Sequence, residues 1–469
     1  MKLYKIIIFV VLSAITVFAQ GAGSFGISDS RSSAMGGGNA ISTRGIYSFG
    51  TNPANFAMPT DRNVELSLVI PLPNINAFAR NDFLSWRDYN YYFGGVTGQN
   101  GNVIARNLTS EDKTNFKSLF TKGSELNAFI TANLLALSVN LGAGGALGFA
   151  ITDVGGVNLT IPKDLVDLAV DGNEIGRVYS LSDLNLKASY LREYSFSYAR
   201  ELGDLFGNNF LHFTGGISLK IVSGLGYLQT TVPTANFETK TDNSILLQSD
   251  ITADIAVSPD YGITWGFDNF TEKRSSNISP FPKSAGSGFG VSFGLAAQID
   301  SVWSVGLSLT DLGSITWDKE TVQYSSFGSF LVTSVTDSAQ RQKFSDSLKF
   351  KGSYSKGFST RLPSAFRFGI GMKMDNLLLV LGYNQGFNNE PLNTTKPRFS
   401  MGAEWKPFDF FPLRSGVSFG GVEGFRWSFG FGFDFGFLEM NFASTNFGAV
   451  VQGNNGKGID LSVGSRWKF

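Results

Sequence analysis

The chain has no cysteine and a single histidine, His212, in 469 residues. Without cysteine there is no disulfide scaffold, no thiolate metal site and no acylated N-terminal cysteine. With one histidine an ordinary zinc site lacks its ligands. Net charge is also missing, with 38 basic against 38 acidic residues. The first nineteen residues read as a secretory signal. Lys2 and Lys5 precede the apolar run Ile6–Phe18, and Val17-Phe18-Ala19 offers a cleavage site before Gln20. Removing Lys2 and Lys5 leaves the mature chain slightly acidic, with no electrostatic footprint for nucleic acid. Catalytic patterns are missing as well. Gly288-x-Gly290 sits in no βαβ context, and His212 has no serine and orienting group at a telling spacing, so no catalytic residue, metal or cofactor is assigned. One uncharged stretch, Asn127–Ile151, is long enough for a membrane helix. Its asparagines and the Gly142–Gly145 patch argue instead for two strands and a turn.

Glycine and phenylalanine are present in excess: 55 glycines, where an average chain of this length would carry about 7%, and 44 phenylalanines. They fall into a pattern. Phe425, Trp427, Phe429, Phe431, Phe433 and Phe435 alternate with Arg426, Ser428, Gly430, Gly432, Asp434 and Gly436. The last stretch does the same, with Ile459, Leu461, Val463, Trp467 and Phe469 on one face and only Ser465 breaking the row. A period of two is a strand with two unlike faces. So many aromatics opposite glycine and serine require an apolar solvent, and lipid supplies it. A chain ending on an aromatic strand is typical of outer-membrane barrels, where Trp467 and Phe469 would close the barrel in an interfacial girdle.

Connections test the idea. A barrel with both termini in the periplasm alternates short periplasmic turns with longer external loops. Traced backward from Phe469, short turns fall near Gly436, Lys406–Pro412, Asp375-Asn376, Asp300-Ser301 and Leu141–Gly144. Long segments fall at Ser444–Gly458, Ile315–Pro363, Ser223–Gly286, Pro162–Asp183 and Asn74–Ser124, and Gly421–Gly424 is the one short external connection. The expected fold is all-β: a single antiparallel transmembrane β-barrel of about 14 strands with long extracellular loops, spanning 63–469 and starting with a strand Asn63–Leu72. Helices are expected at Thr109–Lys122 and Pro162–Val170, and an extended hairpin above the membrane at Thr230–Ile255.

Residues 20–62 do not alternate. They contain Ser32-Ser33-Ala34-Met35-Gly36-Gly37-Gly38-Asn39-Ala40, followed by Asn52-Pro53-Ala54. This segment resembles the N-terminal hatch of the long-chain fatty acid outer-membrane transporter family, in which a Met-Gly-Gly-Ala stretch precedes an Asn-Pro-Ala motif. The likeness covers Ser32–Ala57. Here Gly38 replaces the family's alanine. The resemblance implies a fourteen-strand barrel plugged by Met35, Gly36, Gly37, Gly38, Asn52, Pro53 and Ala54. It also implies a kink in the third strand that opens a side exit, for which Gly155 and Gly156 are the candidates. A second resemblance, carried by Leu362–Phe469 with Leu413–Gly421 and by Pro162–Gly226, is to an uncharacterised domain family of Gram-negative outer-membrane barrels; it implies fold and location, and no substrate.

Charges on the glycine face would point into the lumen: Arg367, Glu404, Arg414, Arg426, Asp434, Asp460 and Arg466, with Glu439 and Lys468 beside them. Both signs occur, so an ion-pair lattice that stiffens the wall and holds the hatch is the plain reading. A polar pore is the functional one. The resulting expectation is a non-enzymatic outer-membrane barrel that passively transports a small hydrophobic or amphipathic molecule. The alternative is a secretion or attachment scaffold that binds a protein partner through its external loops. Membrane lipid and the barrel-assembly machinery, engaged through the C-terminal strand, are the other expected partners.

Overall fold

A computed structural model describes residues 29–98, 100–203, 211–263, 279–333, 339–340, 342, 351–391, 393–421 and 424–469. The expected signal segment and the first residues of the expected hatch segment lie outside them. Fourteen antiparallel strands close into a ring. β1 is split into Val64–Ser67 and Asn74–Asn81. Then come β2 (Ser124–Asn140), β3 (Ala146–Ile161), β4 (Asn185–Glu201), β5 (His212–Thr239), β6 (Gly286–Gln298) and β7 (Trp303–Trp317). β8 (Ala365–Met374) carries a detached upper piece, Phe358–Arg361. β9 to β14 are Leu377–Gly386, Arg398–Phe408, Phe411–Gly420, Arg426–Asp434, Leu438–Ser444 and Gly458–Lys468. β14 pairs with both pieces of β1, which closes the ring.

The two faces sort as the alternation requires. Phe293, Leu307, Phe399, Trp405, Phe419 and Leu461 are exposed on the outside, while Arg367, Ser428, Ser308 and Ser462 are buried within. An apolar belt on this scale needs lipid around it. Trp303, Trp405, Phe408, Phe410, Phe435, Phe437 and Phe469 cluster at the end with the short turns. This is where an interfacial girdle belongs.

The long strands overshoot the membrane. A tilted strand crosses in about 9–11 residues, yet β5 runs 28. Its upper half pairs with Ile245–Val257, which pairs in turn with Val322–Val332, and that strand with the short Lys351–Tyr354. A tongue of sheet therefore stands above one side of the barrel. Tyr227, Trp317 and Phe358 pack at its base with ring centroids 5.3–6.2 Å apart. The expected hairpin at Thr230–Ile255 is part of this tongue. Two expected helices are present, Ser110–Ser118 and Lys163–Asp171. The first is capped by Thr109, whose side chain and Asp112 bond each other's backbone N–H groups. The uncharged stretch Asn127–Ile151 forms strand, a Gly142–Gly144 turn and strand.

Two expectations need correction. The first strand does not run unbroken to Leu72, and the first external loop does not begin at Asn74. Leu68–Pro73 leaves the wall, and Asn74–Asn81 rejoins it above. Pro71 and Pro73 cannot donate to a ladder, so the interruption falls where the sequence withholds two N–H groups. The excursion packs on the outside of β14. Ser465 Oγ donates to Leu72 O at 2.6 Å, and Trp467 Nε1 donates to Ile70 O at 3.3 Å. Ser465, the one polar residue in its apolar row, thus satisfies backbone that would otherwise face lipid unbonded.

The second correction concerns Gly155 and Gly156. Both ladders of β3 pass through them without a break, Gly155 opposite Ile130 and Tyr190, Gly156 opposite Phe129 and Ser189. Neither ladder bulges at the two glycines. The one register shift in the ladders of β3 is against β2, where Leu134 is extra between Asn133 and Leu135. It lies beside the interruption of β1, so the wall's adjustment is made at that seam.

Candidate functional site

Residues 29–58 occupy the lumen, built from short turns rather than long elements. Helix α1, Ser30–Ala34, is capped by Asp29, whose Oδ1 accepts from Ser32 N at 2.7 Å. Burial pushes the Asp29 carboxyl above its ordinary range, against the Ser32 hydrogen bonds that oppose the shift. Gly36 and Gly37 follow with φ of 73° and 84°, the left-handed region that glycine enters without penalty. A second turn, Pro53–Phe56, is capped by Asn52, which accepts from Ala54 N at 3.0 Å. The Asn52 amide donates to Ala40 O at 2.8 Å and to Leu295 O on the wall at 3.1 Å. Asn52 therefore ties together the two halves of the segment and fastens both to β6. Proline at the first position of the turn loses no hydrogen bond, because that N–H would be orphaned anyway.

The wall is hollowed to receive this segment. A Cβ on Gly402 would come 2.6 Å from Met35 Cβ; on Gly416, 2.6 Å from Gly36 N; on Gly430, 2.6 Å from Ala34 Cβ. Farther round the ring, Gly382 faces Gly38, Gly369 faces Ala40, and Gly216 and Gly294 face the Pro53-Ala54 turn. Gly148 lies under the Phe49 and Phe56 rings. These glycines form a band around the middle of the lumen, and no side chain fits between hatch and wall there.

Ion pairs fasten the hatch on the side of the short turns. Arg31 holds Glu404 bidentately, Nε to Oε2 at 2.7 Å and Nη2 to Oε1 at 2.9 Å. Arg414 Nε reaches the same carboxylate at 2.6 Å. Arg414 also donates to Asn441, and Asn441 donates to Glu439 and to the Tyr47 hydroxyl of the hatch. Arg466 joins Glu439 at 2.6 Å to Glu65 at 3.0 Å and lies over the Tyr47 ring at 4.6 Å. Lys468 pairs with Asp434 at 2.7 Å. The chain from Arg31 through Glu404, Arg414, Glu439 and Arg466 to Glu65 is continuous, and Glu65 closes it by accepting from Ile46 N of the hatch at 3.0 Å.

The other sequence-derived charges lie on the external side of the glycine band and do different work. Arg367 Nη1 donates to Thr310 at 3.0 Å. Arg426 lies over Phe78 at 4.2 Å and donates to Thr445. Asp460 accepts from Ser444 and Thr445, so it braces the β13–β14 connection rather than the hatch. Several groups escaped the sequence reading. Arg31 lies in a segment without period. Arg398, which donates to Gly36 O at 2.7 Å, and the buried pairs Lys220–Glu193 and Arg192–Asp153 lie on strands whose alternation could have revealed them. His212 sits at the short-turn rim, its Nδ1 3.1 Å from Glu201. Among the described residues no group of His, Asp or Glu could hold a metal ion.

Below the hatch the lumen opens as a cavity of about 740 Å³ toward the short turns, roofed by Ile41, Ser42 and Arg44. Its mouth is the periplasmic one, since short turns lie on that side.

The model of a family of unknown function (DUF5723) matches residues 57–445. No curated protein matches the sequence. Among solved structures, the "TodX deltaS2S3 mutant monoaromatic hydrocarbon channel" superposes with a TM-score of 0.51 at 10% identity, covering 96% of this chain and 99% of that one. The Ralstonia pickettii toluene transporter TbuX gives 0.48 at 13% identity, covering 95% and 100%. A Pseudomonas aeruginosa FadL homologue gives 0.46 at 13% identity, covering 96% and 100%. At such identities the likeness speaks to the fold, that of outer-membrane barrel channels.

Proposed function

The chain belongs to the family of unknown function DUF5723, which names no cargo, and on that footing we propose that it is a passive outer-membrane channel for a small hydrophobic or amphipathic molecule. The hatch carries the reading. It packs tightly against the wall at the glycine band, yet among the described residues it is joined to that wall through side chains and by no ladder of strands. A plug held this way can shift as a unit while the barrel stays closed around it. The similar barrel named as a monoaromatic hydrocarbon channel supports a hydrophobic cargo, since it shares this fold. The ion pairs along the wall support an amphipathic one, because a solute passing the hatch meets charge as well as aliphatic surface.

The test is flux. Purified protein in liposomes is compared with a variant lacking residues 29–58, using toluene and octanoate as solutes. The intact protein should pass at least one of them selectively, and the deletion should pass both along with small sugars. If the intact protein passes neither, and the deletion remains sealed, the channel reading fails.

A second reading has one observation in its favour. The tongue presents Phe327, 83% exposed, with Leu331 beside it, above the membrane. A protein partner would cover such residues. Replacing both with serine should abolish capture of that partner and leave flux untouched.

A further inference from the structure

We propose that two short helices at the external end of the closing seam, Trp86–Phe93 and Phe447–Val451, form a foot that lies in the outer leaflet of the membrane, with Trp86, Tyr89, Phe93, Val450 and Val451 against lipid. Three observations converge on it.

The first is the make-up of Trp86–Phe93. Five of its eight residues are aromatic, and none of the eight is buried. Local bonds hold it as a helix: Ser85 and Asp88 satisfy each other's backbone N–H groups at its start. Tyr92 packs on Phe116 of the neighbouring helix with ring centroids 4.9 Å apart, and the Tyr91 hydroxyl donates to Asp112 at 2.7 Å. Those contacts turn one side toward the rest of the loop. Trp86, Tyr89 and Phe93, spaced by three and four, share another face and run along it with ring centroids 6.3 and 5.6 Å apart. Phe93 touches Phe116 edge-on at 5.9 Å, yet it stays exposed, as does Trp86. Trp and Tyr in such a row are at home where lipid meets water.

The second is continuity with the wall. Phe447 lies against Trp427 and Phe429, with ring centroids 5.3 and 5.1 Å away. Those two belong to the outward row of β12, which alternates with the buried Arg426 and Ser428. The helix therefore starts on the lipid side of the barrel. Val450 and Val451 follow, 64% and 63% exposed.

The third is depth. Phe399, Phe419 and Phe425 are exposed at the external ends of β10, β11 and β12, where an upper girdle belongs. Trp427 is the next outward residue after Phe425, so Phe447 enters at girdle depth. The two segments are pinned to each other across the seam. Trp86 N donates to Gly456 O at 3.0 Å, and Asn81 N, at the end of β1, donates to Lys457 O at 3.1 Å. The aromatic helix thus leaves the same rim. Apolar helical faces that continue a lipid-facing wall at headgroup depth have lipid as their occupant.

The chain has no cysteine, so single-cysteine variants accept a nitroxide label without background. Full-length protein in phosphatidylcholine vesicles is labelled at one position at a time. Accessibility to oxygen, which concentrates in lipid, is compared with accessibility to a water-soluble nickel chelate. Phe93→Cys and Val451→Cys should favour oxygen, as Phe425→Cys on the wall does. Arg87→Cys, exposed on the polar arc of the same helix, should favour nickel. Phe327→Cys should favour nickel too, and it separates depth from apolarity, because that exposed phenylalanine stands on the tongue. Heat-modifiable gel migration checks that each variant is folded. Nickel-favoured labels at Phe93 and Val451 overturn the proposal. Labels there shielded from both reagents also overturn it, in favour of a second copy if dilution with lipid exposes them and of packing within the chain if it does not.

Discussion

Removing Arg31 should unlock the hatch by a measurable amount. Its guanidinium makes two charge-assisted bonds to Glu404, at 2.7 and 2.9 Å, and a third to Ser42 O at 2.7 Å. Orphaning one member of a buried pair costs roughly 3–5 kcal/mol. Arg31→Ala does not orphan Glu404, which keeps Arg414 at 2.6 Å. The Arg31 side chain is also 15% exposed, so some solvent screening applies. About 2 kcal/mol is the reasonable figure, which raises the population of a displaced hatch roughly 30-fold. Planar-bilayer recordings read this as open time: Arg31→Ala should open about 30 times as often as wild type, and Arg31→Lys should fall between them. Glu404→Gln should exceed both, since it strands Arg31 and Arg414 together. If Arg31→Ala gates like wild type while the hatch deletion conducts, the ion-pair lock is not what holds the segment.

Four further outcomes follow from the same contacts. Gly416→Val puts atoms where Met35 and Gly36 main chain sits, and should displace the hatch, raising conductance and lowering the temperature of heat modification. Ser465→Val leaves the Leu72 carbonyl unbonded beside lipid, and urea titration should show a loss of about 1–3 kcal/mol. Asp112 has its carboxyl held below the usual range by the Thr109 N–H and then by the Tyr91 hydroxyl. A depressed carboxyl contributes stability above its unfolded pKa, near 4, and loses it as pH falls through the folded value. Hydrogen exchange should therefore show the Ser110–Ser118 helix fraying below about pH 4, with Asp112→Asn frayed at all pH values. Phe469→Ser removes an exposed aromatic at the end of β14, next to the seam with β1, and should lower the yield of heat-modifiable barrel in the outer membrane.

The wall was largely legible because lipid imposes a strict rule on it. Every second residue must be apolar, so Phe425–Gly436 and Ile459–Phe469 announce their faces directly, and the parity of the connections orders the strands. The hatch follows no such rule. Its residues are chosen by what they touch, and the glycines they touch lie hundreds of positions away. Gly402 and Gly416 read as generic barrel glycines until Met35 is placed between them. Arg31 lacks any local signal for the same reason. The Gly155-Gly156 expectation failed because paired glycine has two meanings in a strand, a bend or a close approach, and alternation cannot separate them. In β3 both ladders keep register through the two glycines, and the shift falls where Pro71 and Pro73 interrupt β1. Ser465 shows the reverse case: a break in the pattern pointed to a partner, the excursion Leu68–Pro73, that could be found only in three dimensions.

The hollowed band also constrains how the molecule is made. The hatch precedes β1, and β1 completes the ring only by meeting β14, far along the chain. Once that seam is zipped, the hatch is enclosed, its turns pressing on strands from β3 round to β12. It cannot be threaded in afterward as a finished piece. The hatch and the closing sheet are then fitted to each other in one step, bulk against hollow. Any change to its bulk then alters which ring can close, and yield in the membrane becomes a readout of fit at a surface no solvent reaches.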